Sequence, residues 1–369
     1  MSFWISSKEL DDEQREAVEN MPAESSFVIY GPAGSGKTNI LLLRAKWLSY
    51  KGMPDYKIIA FTASLCEFMR GGCEQYQINP DTVSTQMSFF RRILDEYNVD
   101  HTPQEDFEAE RQLVSGKILS LVESGSISRN YCQTLLVDEC QDYSDTELLL
   151  FTKLCKTIVL ATDNRQSIYK DTHSAGLPES LVNGNVVELK YHYRSGLQLC
   201  SVADEVLSDR ARYAAVKDRC RYPEKDRPSS VSASKLDTIE DQIEAIFVNL
   251  ESQIELYPKE RIGVLFPRRE LVAKFKNHPS FTSLGSASQR ISVLTFHSAK
   301  GWEFRAVHIA GCESASRMGS AQKRLVYTAL LRGQTSAHLY YSGHIPPYLE
   351  KALESQAPPK DNPKFESLF

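Results

Sequence analysis

Eight residues near the start of the chain, Gly31-Pro32-Ala33-Gly34-Ser35-Gly36-Lys37-Thr38, alternate glycine with small side chains and end on a lysine and a hydroxyl. Glycines let backbone N–H groups approach an anion, and a helix that follows turns its positive end toward it. This is the phosphate-loop pattern GxxxxGK[ST], in which Lys37 reaches the outer phosphates of a nucleoside triphosphate and the Thr38 hydroxyl ligates Mg²⁺. Further along, Asp138 and Glu139 stand side by side. Asp138 is placed to hold the cation, directly or through water, and Glu139 to orient and deprotonate an attacking water. A third polar pair, Asp163 and Gln166, adds a glutamine that can report whether a γ-phosphate is present.

Each cluster needs an element to carry it, and each follows a short apolar run: 27–30, 134–137 and 158–161. Ligands of open α/β sheets bind at the carboxyl ends of the strands, where these polar groups fall. After Lys37, the residues Ile40, Leu41, Leu43 and Trp47 recur at helical spacing,. With a further strand at 57–61, the alternation predicts a parallel sheet with crossover helices over 1–190. A second such unit is expected over 191–345, with strands at 261–266, 291–295, 306–310 and 337–341. The fold class is therefore α/β, two tandem and mostly parallel sheets flanked by helices. The Pro- and charge-rich stretch 217–235 reads as a surface loop, and the Pro-rich tail 346–369 as loosely attached.

Composition narrows the class. The chain has 369 residues, 41% of them hydrophobic, enough for two buried cores,. A formal net charge of -5 gives no global signal for a polyanion partner, so any nucleic-acid surface must be local,. Eight cysteines without a CxxC pair argue against a disulfide frame or a zinc site,. With no secretory leader and no apolar run of membrane-spanning length, they predict a cytoplasmic protein with reduced thiols.

The stretch DECQD (138–142) followed by DNRQSIY (163–169) resembles the UvrD/Rep/PcrA family of superfamily 1A helicases and translocases. The resemblance runs in order along the chain. Residues 10–14 resemble the adenine-reading Q motif, FTASLCEFM from Phe61 the family's FTNKAAxEM, and VSTQMSFF from Val83 its TxHSF element. YHYRS (191–195) resembles NYRS, residues 291–311 resemble TxHxAKGLEFxxVxxxG, and KRLVYTALLRG (323–333) resembles RRLxYVAxTRA. It implies two RecA-like domains hydrolysing ATP with Mg²⁺ in the cleft they share, and single-stranded DNA as partner. Carried over residue by residue, Gln14 reads the adenine edge, Tyr193 stacks on the adenine and Glu303 takes a ribose hydroxyl. Arg194 and Arg332 reach the γ-phosphate, and Phe61, Thr62, Tyr169, Thr295 and His297 face the strand.

The family's nucleotide-facing motifs stay nearly complete here, and its DNA-facing motifs are more altered. The large insertions of the family's motor domains have little room here, Met87 replaces the histidine of TxHSF, His192 the asparagine of NYRS, and Asp171 a base-stacking aromatic. Asn39 stands where an arginine commonly packs on adenine, and Thr162-Asp163 replaces the family's GD. Two functions are compatible with this pattern. One is an ATP-driven translocase or helicase moving 3′ to 5′ on single-stranded DNA, RNA remaining open. The other is an ATPase switch gated by nucleic acid or by a protein partner such as a nuclease, as in phage defence.

Overall fold

The computed structural model describes residues 4–127, 130–166, 173–208, 214–316 and 320–356. The chain divides into two compact units, Met1–Lys190 and Tyr191–Phe369. Each is a parallel sheet flanked by helices, the α/β architecture of a RecA-like domain.

In the first unit the strands are β1 (Phe27–Tyr30), β2 (Tyr56–Ala60), β3 (Val83–Thr85), β4 (Cys132–Val137), β5 (Cys155–Thr162) and β6 (Val186–Glu188). They lie in the order β3-β2-β4-β5-β1-β6, and every neighbouring pair is parallel. Strands buried on both faces lose the polar alternation of an exposed sheet, which is why FVIY and TLLV are continuous apolar runs. On one face the helix Lys37–Tyr50 brings Ile40, Leu41 and Leu42 into a core with Ile58, and the other holds Phe90, Leu135, Phe151 and Ile158. β1 lies between β5 and β6, and its carboxyl end delivers the phosphate loop next to the ends of β4 and β5.

The second unit holds β7 (Ser230–Leu236), β8 (Ile262–Phe266), β9 (Ile291–Thr295), β10 (Phe304–Ile309) and β11 (Gly333–Ser342), in the order β7-β11-β10-β8-β9. All ladders are parallel, with one register shift between Phe304 and Ala306 where β10 meets β11. Its core forms between β8, β9 and the helix Ile239–Leu256, where Phe247 and Phe275 stack at 4.5 Å.

Two expectations need correction. The stretch 217–235 is not loop throughout, since from Ser230 it becomes β7 and pairs along seven residues with β11. Its small and polar residues suit an edge strand, where Ser, Ala and Lys keep the outer face wet. The tail does not hang free at its start, because Pro347–Glu354 is a helix that buries Tyr348, Leu349 and Ala352. Proline there occupies the first helical turn, where a missing N–H costs nothing. No helix among the described residues is long and apolar enough to cross a membrane.

Candidate nucleotide site

The phosphate loop is shaped by glycines at positions where a side chain would be crowded or strained. A Cβ on Gly31 would lie 2.4 Å from Ser35 Oγ, and Gly36, at φ +90°, caps the helix Lys37–Tyr50 in a left-handed conformation,. Ser35 turns a buried hydroxyl into the loop that meets no partner among the described residues. Lys37 Nζ donates to the carbonyls of Gly31 (2.8 Å) and Pro32 (3.0 Å), which holds its charge across the loop.

At the end of β4, Asp138 Oδ2 accepts a hydrogen bond from the Thr38 hydroxyl at 2.7 Å. Two hard oxygen donors are thus adjacent, the donor type that Mg²⁺ prefers. Asp138 is buried, and burial, with the neighbouring Glu139 charge, pushes its carboxyl up to about 6. A divalent cation would relieve both causes, so a glycine-walled cradle, an unsatisfied buried hydroxyl and paired acids together fit a nucleoside triphosphate with Mg²⁺.

Glu139 adopts φ +53°, ψ +44°, unusual for a non-glycine residue. Its carboxylate accepts from the Gln141 side-chain amide. The other end of that amide, Oε1, accepts from Thr162 Oγ1 (3.1 Å) and from the Asp163 backbone N–H (2.9 Å) at the end of β5. Asp163 in turn accepts from Gln166 Nε2 at 2.8 Å. Sequence reasoning assigned no role to Gln141. The signal was its place two residues after Glu139, in a turn too polar to be buried unless its amide is fully used.

Gln14 is buried against the same loop. Its Nε2 donates to the Ser35 carbonyl at 3.0 Å, while its Oε1 accepts from the Asp11 N–H at 3.2 Å as part of a helix capping box,. Arg44, on the phosphate-loop helix and flanked by Trp47 and Phe27, anchors the segment after Gln14. It donates to the carbonyls of Val18 (3.1 Å), Met21 (2.6 Å) and Pro22 (2.6 Å). Asn39 is buried and accepts from the Tyr76 hydroxyl at 2.6 Å.

The residues expected to face a strand are engaged in other ways. Phe61 packs edge-on to Tyr143 at 5.3 Å, with the Arg111 guanidinium 5.1 Å from its ring. Thr62 caps the helix Ala63–Tyr76, accepting from Leu65 N. Thr295 accepts from the Ser298 N–H at 3.1 Å, and His297 is exposed beside it. Tyr169 and Asp171 lie outside the described residues.

The second unit groups three of its expected site residues. Glu303 is paired with Arg194, and its carboxyl is raised by burial and drawn back down by the charges of Arg194 and Arg332. Arg332 is buried and donates to the Thr328 (3.1 Å) and Trp302 (3.4 Å) carbonyls. Tyr193 accepts from Arg221 at 3.4 Å, and Arg221 also covers the Tyr191 ring at 3.2 Å. Trp302 stacks on Phe304 at 6.1 Å.

Comparison with known families agrees with this geometry for the first unit. Residues 14–172 match the model of a family described as an AAA domain. The match supports P-loop, nucleotide-binding character for the first unit. The match covers Gln14, the phosphate loop, Asp138, Glu139 and Gln166 and stops before the second unit. No match to a curated protein accompanies it.

Proposed function

We propose that the chain is an ATP-dependent single-stranded DNA translocase or helicase of the UvrD-like kind, moving 3′ to 5′. The observation that carries the reading is the meeting of Thr38, Asp138 and Glu139 at the carboxyl edge of one sheet, with Gln166 linked through Asp163 and Gln141. Lys37 would exchange its carbonyl partners for the outer phosphates, and Thr38 and Asp138 would hold Mg²⁺. The bound cation would neutralise charge on the phosphate oxygens. Glu139 would take the proton of the attacking water, and Gln166 would hydrogen-bond the γ-phosphate. By resemblance, Arg194 and Arg332 would add positive charge to the transition state, an effect worth roughly 10³–10⁵ in rate where such arginines act.

A second reading, an ATPase switch gated by a partner such as a nuclease, is favoured by Phe61. Its ring is already packed against Tyr143 and Arg111, which weakens the case for a base-stacking platform. Steady-state ATP turnover with and without single-stranded DNA separates the two. The translocase reading expects stimulation that weakens steeply as salt rises, because phosphate contacts release counterions. It also expects Lys37→Ala and Glu139→Gln to abolish turnover, the second still binding ATP. Turnover indifferent to any nucleic acid would transfer the proposal to the switch.

A further inference from the structure

We propose that Gln141 is a positioning residue that fixes the Glu139 carboxylate for water activation and ties its position to the turn bearing Gln166. This rests on the reading of Glu139 as the base. Gln141 is 1% exposed, so every polar atom of its amide must be satisfied within the fold,.

The amide has one permitted orientation. The backbone N–H of Asp163 can only donate, so the atom 2.9 Å from it must be Oε1,. The NH₂ group therefore faces Glu139, whose carboxylate can accept it. Glu139 leaves β4 in a left-handed conformation, which swings its side chain away from the path that the strand would set. A glutamate side chain has many rotamers to lose, and the bond from Gln141 is a contact that can hold it in one,.

The other half of the amide reads the end of β5. It accepts from Thr162 Oγ1 and Asp163 N, and the Asp163 carboxylate accepts from Gln166 Nε2 and from the Arg165 N–H at 3.0 Å. A continuous buried chain thus runs Glu139–Gln141–Asp163–Gln166. A shift of Gln166 toward a γ-phosphate is passed to the base through the Asp163 carboxylate, the Asp163 backbone and the Gln141 amide, so the group that detects the phosphate also aims the group that activates water.

Two substitutions of the full-length chain test this. Gln141→Met removes all three bonds at similar volume. Gln141→Glu keeps an acceptor for Thr162 and Asp163 but offers Glu139 no donor in its ionised form. Both should lower kcat at least tenfold while KM for Mg-ATP stays within about threefold, and Gln141→Glu, which sets a second buried carboxylate against Glu139, should also shift the pH profile of kcat,. If Gln141→Glu turns over like the parent, Gln141 only braces β5 and the proposal is wrong. A parallel fall in kcat, ATP affinity and melting temperature in both variants would equally make it a structural residue. Glu139→Gln is measured alongside. If that variant hydrolyses ATP normally, the reading of the base fails first; if it is inactive while both Gln141 variants are normal, only the present inference fails.

Discussion

Glu139 carries an unusual backbone as well as its acid. A non-glycine residue in the left-handed region costs on the order of 1–3 kcal/mol unless its surroundings demand it. The strain at φ +53° is therefore separable from the side chain. Glu139→Gly and Glu139→Ala both delete the carboxylate, yet glycine adopts this conformation freely. The Gly variant should be the more stable of the two by about 1 kcal/mol, measured by urea denaturation, although neither should hydrolyse ATP. An Ala variant as stable as the Gly variant would show that the backbone relaxes there. At this scale Lys37, Thr38 and Asp138 were legible because their chemistry is local to a motif. Gln141 and Arg44 were not, since Gln141 joins Glu139 to Thr162 and Asp163 at the end of another strand and Arg44 holds the carbonyls of Val18, Met21 and Pro22.

The helix Phe107–Glu123 is locked to the helix Asp145–Leu154 by a buried ion pair, Arg111 with Glu147, whose side chains are 4% and 2% exposed. Arg111 also donates to the Asp142 carbonyl at 3.1 Å, which links this helix pair to the turn after Glu139. Removing one partner of a buried pair leaves a charge without compensation and costs about 3–5 kcal/mol, whereas replacing both with apolar groups is often neutral. Arg111→Met should therefore lower the urea midpoint of the first unit sharply, and adding Glu147→Leu should recover most of it. An unchanged midpoint in Arg111→Met would mean that the pair is solvated in solution. Strands with continuous apolar runs, such as β1, β4 and β8, were readable from sequence. β3 and β6 are three residues each, too short for periodicity to register, and β7 is too polar to resemble a strand until β11 lies beside it.

Across the whole molecule, acid acts unevenly, because His308 is fully buried in the second unit. His308 Nε2 lies 2.9 Å from Gln253 Oε1 and Nδ1 lies 2.8 Å from the Tyr340 hydroxyl, which itself accepts from Asn249. That network satisfies the neutral ring, with Nε2 donating and Nδ1 accepting. Burial, aided by nearby His338, pushes the histidine down to about 3. The unfolded chain, titrating near the ordinary 6.5, then binds more protons than the folded one between those values. Stability is full above about pH 6.5 and is lost as pH falls, by up to about 1.4 kcal/mol per pH unit for one such group. His308→Gln should flatten the acid limb of stability against pH. An identical pH dependence in the variant would place the acid sensitivity elsewhere.

The strand order of the second sheet also sets a timetable for synthesis. β7 is complete at Leu236, but its one ladder is with β11, which begins at Gly333. At roughly 5–20 residues per second, β7 waits on the order of 5–20 s for its partner to be made. During that interval an apolar strand would invite pairing with other nascent chains. Ser230, Ser232, Ser234 and Lys235 make β7 a poor template for such encounters. In the first sheet the apolar β1, complete at Tyr30, likewise has no ladder partner until β5 begins at Cys155 and β6 at Val186.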